Sequence, residues 1–113
     1  YLETDTSFPA RYARAIAWYR DGQTQRALDA TDALIAEDEG NPFLWELKGQ
    51  ILFEEGRPAE AIAAHRRSVE LLPDAPLLRI NLAHALIETR DPTQLEDAVD
   101  NLKLATAREP ENT

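Results

Sequence analysis

The sequence repeats itself with a period of 34 residues. Ala27 aligns with Ala61 at this separation, and a third copy follows in which Ala98 lies 37 residues after Ala61. The third copy therefore holds three extra residues, which we place near residues 89–94 and expect in a turn, where insertions are best tolerated. A period of this length predicts stacked supersecondary units rather than one central core.

Each copy contains two stretches in which apolar residues recur at helical spacing. Prolines follow Asn41, Arg57 and Asp91, and a proline at the first helical position loses no hydrogen bond. Asn41 and Asp91 are also good N-cap residues, while Gly22 and Gly56 separate the two stretches of their copies. These signals predict six helices near residues 8–21, 24–38, 43–55, 59–72, 77–89 and 93–108.

Small residues occupy matching places on the paired helices, which allows two antiparallel helices to approach closely. They are Ala15, Gly49 and Ala83 on the first helix of each pair and Ala27, Ala61 and Ala98 on the second. Trp18 and Leu52 fall on the stripe that we expect to be buried. One pair cannot bury its apolar face alone, so we predict an all-α fold of three stacked helix-turn-helix pairs.

The middle unit resembles the tetratricopeptide repeat (TPR) family. The residues that carry this resemblance are Trp45, Gly49, Leu52, Gly56, Ala61 and Pro73. The resemblance covers residues 8–110 and implies a right-handed α-solenoid. It divides a single domain, residues 1–113, into repeats at about 8–41, 42–75 and 76–110. Pentatricopeptide repeats are one residue longer and basic, so both the period and the charge argue against them.

Charge and composition exclude several classes of function. The chain has 12 Lys and Arg against 21 Asp and Glu, a net charge of −9, which disfavours nucleic acid as a partner. No apolar run is long enough for direct membrane insertion. The chain has no cysteine, and its two histidines, His65 and His84, form no H-E-x-x-H motif. We therefore expect no catalytic residue, metal site or cofactor in this chain.

By the same resemblance, the first helices of the pairs form a concave groove that binds a protein or an extended peptide. The residues expected to line it are Tyr12, Ile16, Tyr19, Arg20, Glu46, Gln50, Phe53, Glu54, Ile80, His84, Ile87 and Glu88. Three carboxylates against one arginine predict an apolar or basic partner rather than an acidic one. Some relatives grip a C-terminal carboxylate with lysine, but this groove offers no lysine, so that function is not expected.

The last helix is unusually apolar for the end of a repeat stack. It carries Leu95, Val99, Leu102 and Leu104, and Leu104 occupies the place that Arg67 holds one unit earlier. This pattern predicts either self-association, such as a homodimer through this helix, or a further repeat in a longer chain. The start at Tyr1 without methionine also indicates a fragment.

A narrower resemblance links three stretches, residues 10–20, 46–54 and 83–87, to bacterial zinc metallopeptidases of the CAAX-prenyl-protease type, the periplasmic BepA-like group. It implies an upstream peptidase domain and a periplasmic parent. Without it, the sequence leaves both cytoplasm and periplasm open. Three hypotheses follow: a peptide-binding module, an accessory domain of a metallopeptidase, and a self-association element.

Overall fold

A computed structural model describes residues 6–107. Six helices follow one another: α1 (Phe8–Arg20), α2 (Thr24–Glu37), α3 (Pro42–Glu54), α4 (Pro58–Leu71), α5 (Pro76–Glu88) and α6 (Pro92–Ala107). They pair as α1 with α2, α3 with α4 and α5 with α6, which confirms the all-α solenoid of three helix pairs. The helix bounds lie within one residue of the predicted ones, and the predicted end at residue 108 lies outside the described residues.

The starts of α3 and α6 carry the predicted caps. The side-chain oxygen of Asn41 accepts a hydrogen bond from the backbone N–H of Phe43 at 3.0 Å. Asp91 accepts one from the backbone N–H of Thr93, also at 3.0 Å. These bonds satisfy amide groups that have no partner within the first turn of a helix. The sequence therefore locates both helix starts correctly.

The turns inside the three pairs share one backbone feature. Gly22 has φ 80° and Gly56 has φ 77°, the left-handed region that glycine adopts without steric cost. Arg90 lies 34 residues after Gly56 and has φ 59°. The third turn therefore keeps the conformation of the other two, although its residue has a side chain that disfavours it.

The three extra residues of the third copy do not lengthen its turn, so the prediction that they lie in a turn was wrong. Each pair is joined by three residues: 21–23, 55–57 and 89–91. The buried Ala61 is the fourth residue of α4, whereas the buried Ala98 is the seventh residue of α6. Three residues make nearly one helical turn, so α6 gains a turn at its start while its buried face stays almost in phase.

The small residues at the matching places of the paired helices are buried. Ala15, Ala27, Ala61 and Ala83 are fully buried, and Ala98 is nearly so. Leu52 is buried as predicted. Trp18 is half-buried, and the guanidinium of Arg26 lies 5.4 Å from the centre of its ring.

The core consists of clusters between neighbouring helix pairs rather than one centre. Leu28 of α2 packs with Leu47 and Ile51 of α3. Ile62 of α4 packs in the same way with Leu82 of α5. α2 and α4 thus each bury one face against the first helix of the next pair. Within residues 6–107, none of the helices has the length and apolar character needed to span a bilayer.

Candidate functional site: a groove along the first helices

The first helices of the three pairs line a groove made of three adjoining cavities. The first cavity lies between α1 and α3, and Tyr12, Ile16, Tyr19, Arg20, Phe43, Glu46, Leu47 and Gln50 line it. The central cavity, of about 180 Å³, is lined by Tyr19, Gln50, Phe53, Glu54, His65, Asn81, His84 and Ala85. The third is lined by Phe53, His84, Ile87 and Glu88. Shared lining residues make these cavities one continuous surface.

Every predicted groove residue except Ile80 lines at least one of these cavities. Ile80 is half-buried on α5. The exposed apolar surface includes Phe53 and Ile87, which are 36% and 41% exposed. Tyr12 and Tyr19 are half-buried and pack against the core between α1 and α3, so they contribute to the fold as well as to the groove.

Sequence reasoning missed several residues of this surface. Phe43 lines the first cavity and is 53% exposed. Leu77 lies 34 residues later, at the equivalent place on α5, and is more exposed still, but it lines none of the three cavities. The 34-residue period relates Phe43 to Leu77, since a large apolar residue follows the helix-starting proline in both units. His65, Asn81 and Ala85 line the central cavity and were not predicted to do so.

Glu46 differs from the free groove carboxylate that we expected. It is only 7% exposed. Its Oε1 lies 3.0 Å from Nδ1 of His65, and its Oε2 accepts hydrogen bonds from the side-chain amides of Gln50, at 2.9 Å, and of Asn81. These partners come from α3, α4 and α5, so one buried carboxylate connects the second and third helix pairs. The negative charge open to a ligand therefore lies on Glu54 and Glu88 rather than on Glu46.

Tyr19 and Glu54 form a second polar contact across the groove. Burial, the charge of Glu54 and a hydrogen bond to that carboxylate together raise the pKa of the Tyr19 phenol, while Arg20 lowers it. Because the ordinary pKa of a tyrosine phenol is already 10.0 and these effects raise it, the phenol is protonated at neutral pH and donates to Glu54. The contact fixes an aromatic ring of α1 beside the acidic end of α3.

The two histidines lie closer than their places in the sequence suggest, since His65 and His84 line the same cavity. His65 is buried against Gly49, whereas His84 is exposed on α5. Among residues 6–107, no three His, Asp or Glu side chains come together in a group that could hold a metal ion.

The apolar residues of the last helix do not form one face. Val99 and Leu102 line a shallow cavity with Lys103, Thr106 and Ala107. Val99 is exposed, while Leu102 is half-buried against the core of the third pair. Leu104 is exposed but lies about 200° around the helix from Leu102, because each residue advances about 100°.

Comparison with known proteins finds similarity in sequence and similarity in structure. The chain is 29% identical over 83 residues to the Beta-barrel assembly-enhancing protease of Yersinia pestis, a match that covers 74% of this chain and 17% of that protein. The narrower resemblance that the sequence carries agrees with this similarity. The chain thus spans about one sixth of the protease that it matches.

Solved structures share the fold at low sequence identity. The MamA RS-1 ArsTM double mutant superposes with a TM-score of 0.85 at 18% identity, over 95% of this chain and 58% of that one. The second TPR of Spaghetti (RPAP3), bound to the HSP90 peptide SRMEEVD, gives 0.80 at 15% identity, over 96% and 97%. The family model for the tetratricopeptide repeat matches residues 52–113, more than half of the chain. With three stacked helix pairs in the same register, the chain belongs to the tetratricopeptide-repeat family.

Proposed function

We propose that this chain is a non-catalytic binding module that holds an extended peptide or protein segment in the groove along α1, α3 and α5. The observation that carries the proposal is the continuity of the three cavities, which leaves Phe53 and Ile87 exposed along one surface. Exposed apolar residues that form a contiguous patch are usually an interaction site. The second TPR of Spaghetti, which this chain matches over nearly its whole length, binds a peptide, and this supports the proposal.

The partner is apolar or basic rather than acidic. Glu54 and Glu88 line the groove, and Arg20 is the one arginine among the lining residues of its three cavities. The chain as a whole carries a net charge of −9, which repels an acidic peptide and attracts a basic one. The peptide SRMEEVD, which the Spaghetti domain binds, is acidic and serves here as a negative probe.

Fluorescence anisotropy with labelled peptides tests both statements. We expect basic and apolar peptides to bind, and SRMEEVD to bind at least about tenfold more weakly than a matched peptide with its acidic residues replaced by lysine. Phe53→Ala and Tyr19→Ala should abolish binding while far-UV circular dichroism stays helical. Leu72→Ala is the control, because Leu72 is 37% exposed, as Phe53 is, but lies outside the three cavities. Equal or tighter binding of SRMEEVD would contradict the preference.

A second candidate function is that of an accessory domain in a periplasmic zinc metallopeptidase. The similarity to the Beta-barrel assembly-enhancing protease favours it, since the match covers 74% of this chain. In such a parent, the groove would recruit or position substrates for a peptidase domain located upstream. The reading frame before Tyr1 tests this directly: an encoded H-E-x-x-H motif supports it, and a complete upstream gene without one removes it.

A third candidate is self-association through α6. Val99 and Thr106 lie 37 residues after Ile62 and Val69, which α4 buries against α5. The corresponding face of α6 is an open apolar cavity of about 450 Å³. Two copies that pair these faces would bury Val99 and Leu102. Sedimentation equilibrium on the wild type, Val99→Arg and Leu104→Arg tests this candidate. A dimer that Val99→Arg disrupts and Leu104→Arg does not supports pairing through this face. A monomeric wild type contradicts self-association.

A further inference from the structure

The central cavity of the groove differs from its neighbours in chemistry. Its volume of about 180 Å³ is smaller than the roughly 300–1,000 Å³ of pockets that take drug-sized ligands. It therefore suits one side chain of a bound segment. The rings of Tyr19, Phe53 and His84 line it, which gives it aromatic faces from α1, α3 and α5.

Glu46, a buried carboxylate that lines the first cavity, sets the orientation of two further residues of the central cavity. Gln50 and Asn81 both donate their amide N–H to Oε2 of Glu46. Each carboxamide therefore turns its nitrogen toward Glu46. The oxygen of each carboxamide, Oε1 of Gln50 and Oδ1 of Asn81, is thus the atom left to accept a bond from a ligand. Glu46 makes its second contact, through Oε1, with Nδ1 of His65.

Glu54 adds a negative charge to the wall of the same cavity. Its carboxylate accepts the hydrogen bond of the Tyr19 phenol, and it retains further acceptor sites because a carboxylate offers about four. Arg20 carries the opposite charge to Glu54, but it lines the neighbouring cavity. The central cavity thus combines aromatic faces, carboxamide oxygens and one carboxylate. Cations are attracted to aromatic faces and to oxygen acceptors at the same time.

We propose that the central cavity is a subsite for one lysine or arginine side chain of the bound segment. This inference rests on the proposed function, since it specifies which side chain the groove selects and where. The cationic head lies against the rings of Tyr19 and Phe53 and donates to Glu54 and to the carboxamide oxygens of Gln50 and Asn81. Glu46 acts as a positioning residue, because it orients these two amides without contacting the ligand.

Peptides that differ at one position test the subsite. Four labelled peptides are identical and uncharged except at the central position, which is lysine, arginine, norleucine or glutamate. Norleucine keeps the aliphatic stem of lysine without the charge. We expect the lysine or arginine peptide to bind about tenfold more tightly than the norleucine peptide, the usual range for a cation held by a ring and a carboxylate. Glu54→Gln should remove most of this difference. Glu88→Gln, which changes the same charge in the third cavity, should leave it largely intact.

A second measurement does not depend on finding a peptide that binds tightly. N-acetyl-lysine amide and N-acetyl-norleucine amide are titrated into the 15N-labelled chain, and the side-chain amide signals of Gln50 and Asn81 are followed by NMR. We expect the lysine compound to shift these signals and the norleucine compound to leave them unchanged.

The possible failures are distinguishable. If the lysine and norleucine peptides bind equally, the subsite is overturned and peptide binding stands. A preference for lysine that survives Glu54→Gln places the cation elsewhere and also overturns it. If no peptide binds, the proposed function fails, and the NMR titration decides whether the cavity recognises a cation.

Discussion

The imidazole of His65 lies directly against the backbone of Gly49, where α4 crosses α3. A methyl group on Gly49 would come within 2.6 Å of Nε2 of this ring. His65 is buried, and its Nδ1 is engaged with Glu46, so the ring cannot turn away without losing that contact. Because residue 49 is glycine, the second repeat has room for His65 at the place where the first repeat has Thr31.

Replacing Gly49 by alanine should destabilise the protein, although this change usually stabilises a helix by about 1 kcal/mol. The clash with His65 reverses the sign, and overpacking of this kind costs about 1–3 kcal/mol. Urea denaturation measures the change. Gly40→Ala is the control, because an added methyl group at Gly40 meets nothing within 4 Å. A Gly49→Ala variant more stable than the wild type would contradict the packing described.

Glu46→Leu should lower the free energy of unfolding by about 3 kcal/mol. The variant leaves His65, Gln50 and Asn81 without their common acceptor, and buried unpaired polar groups are costly. Glu46→Gln should cost less, because its oxygen still accepts from the amides and His65 can switch tautomer to accept from its nitrogen. Thermal unfolding of both variants, beside Glu54→Leu at the exposed end of α3, checks this order. A Glu46→Leu variant as stable as the wild type would show that the network contributes nothing.

Arg90→Gly should raise the free energy of unfolding by about 0.5–1 kcal/mol. Arg90 has φ 59°, and a left-handed backbone costs a residue with a side chain about 1–2 kcal/mol. Glycine avoids this cost, but its greater freedom in the unfolded chain offsets part of the gain. The reciprocal change Gly56→Ala, at φ 77°, should be destabilising. Denaturant midpoints of both variants test the pair, and the same sign for both would be incompatible with a shared turn conformation.

The pH dependence of stability should reflect Tyr19 at alkaline pH. Burial and Glu54 raise its folded pKa above the ordinary value of 10.0. A raised folded pKa means that the neutral form is favoured by folding, so this contribution is full below pH 10 and is lost as the pH rises through the folded pKa. The melting temperature of the wild type should therefore fall more steeply than that of Tyr19→Phe above pH 10. Absorbance at 295 nm should show one tyrosine fewer titrating late in the variant.

The extra turn of α6 should be dispensable. Deleting Gln94, Leu95 and Glu96 places Ala98 four residues from the helix start, as Ala61 is in α4. The ion pair between Arg66 and Asp97, at 2.6 Å, does not use the deleted residues, and of the contacts of Arg66 the deletion removes only the longer hydrogen bond, 3.4 Å, to Gln94. We expect the free energy of unfolding to change by no more than about 1 kcal/mol. Circular dichroism and urea denaturation measure the outcome, and complete unfolding would show that the turn is structurally required.

The sequence predicts much of the groove because groove residues recur at a fixed place in each repeat. Tyr19, Phe53 and Ile87 are 34 residues apart in turn, so one correct alignment locates all three. Ile80 was the exception, since it is half-buried and lines none of the three cavities. Asn81 was not among the predicted groove residues, because its role depends on Glu46, a carboxylate from another pair.

The sequence by itself determined the helices, their pairing and the register of the stack, because amphipathic periodicity, proline and the caps act over a few residues. Tertiary structure decided that Glu46 is buried rather than free, since its partners come from three helices. It also decided that the three added residues lengthen α6 instead of a turn. Both outcomes depend on how the helices pack against one another. Three residues make nearly one helical turn, so adding them to α6 keeps its buried face nearly in place. A carboxylate is buried only where donors from several helices converge on it.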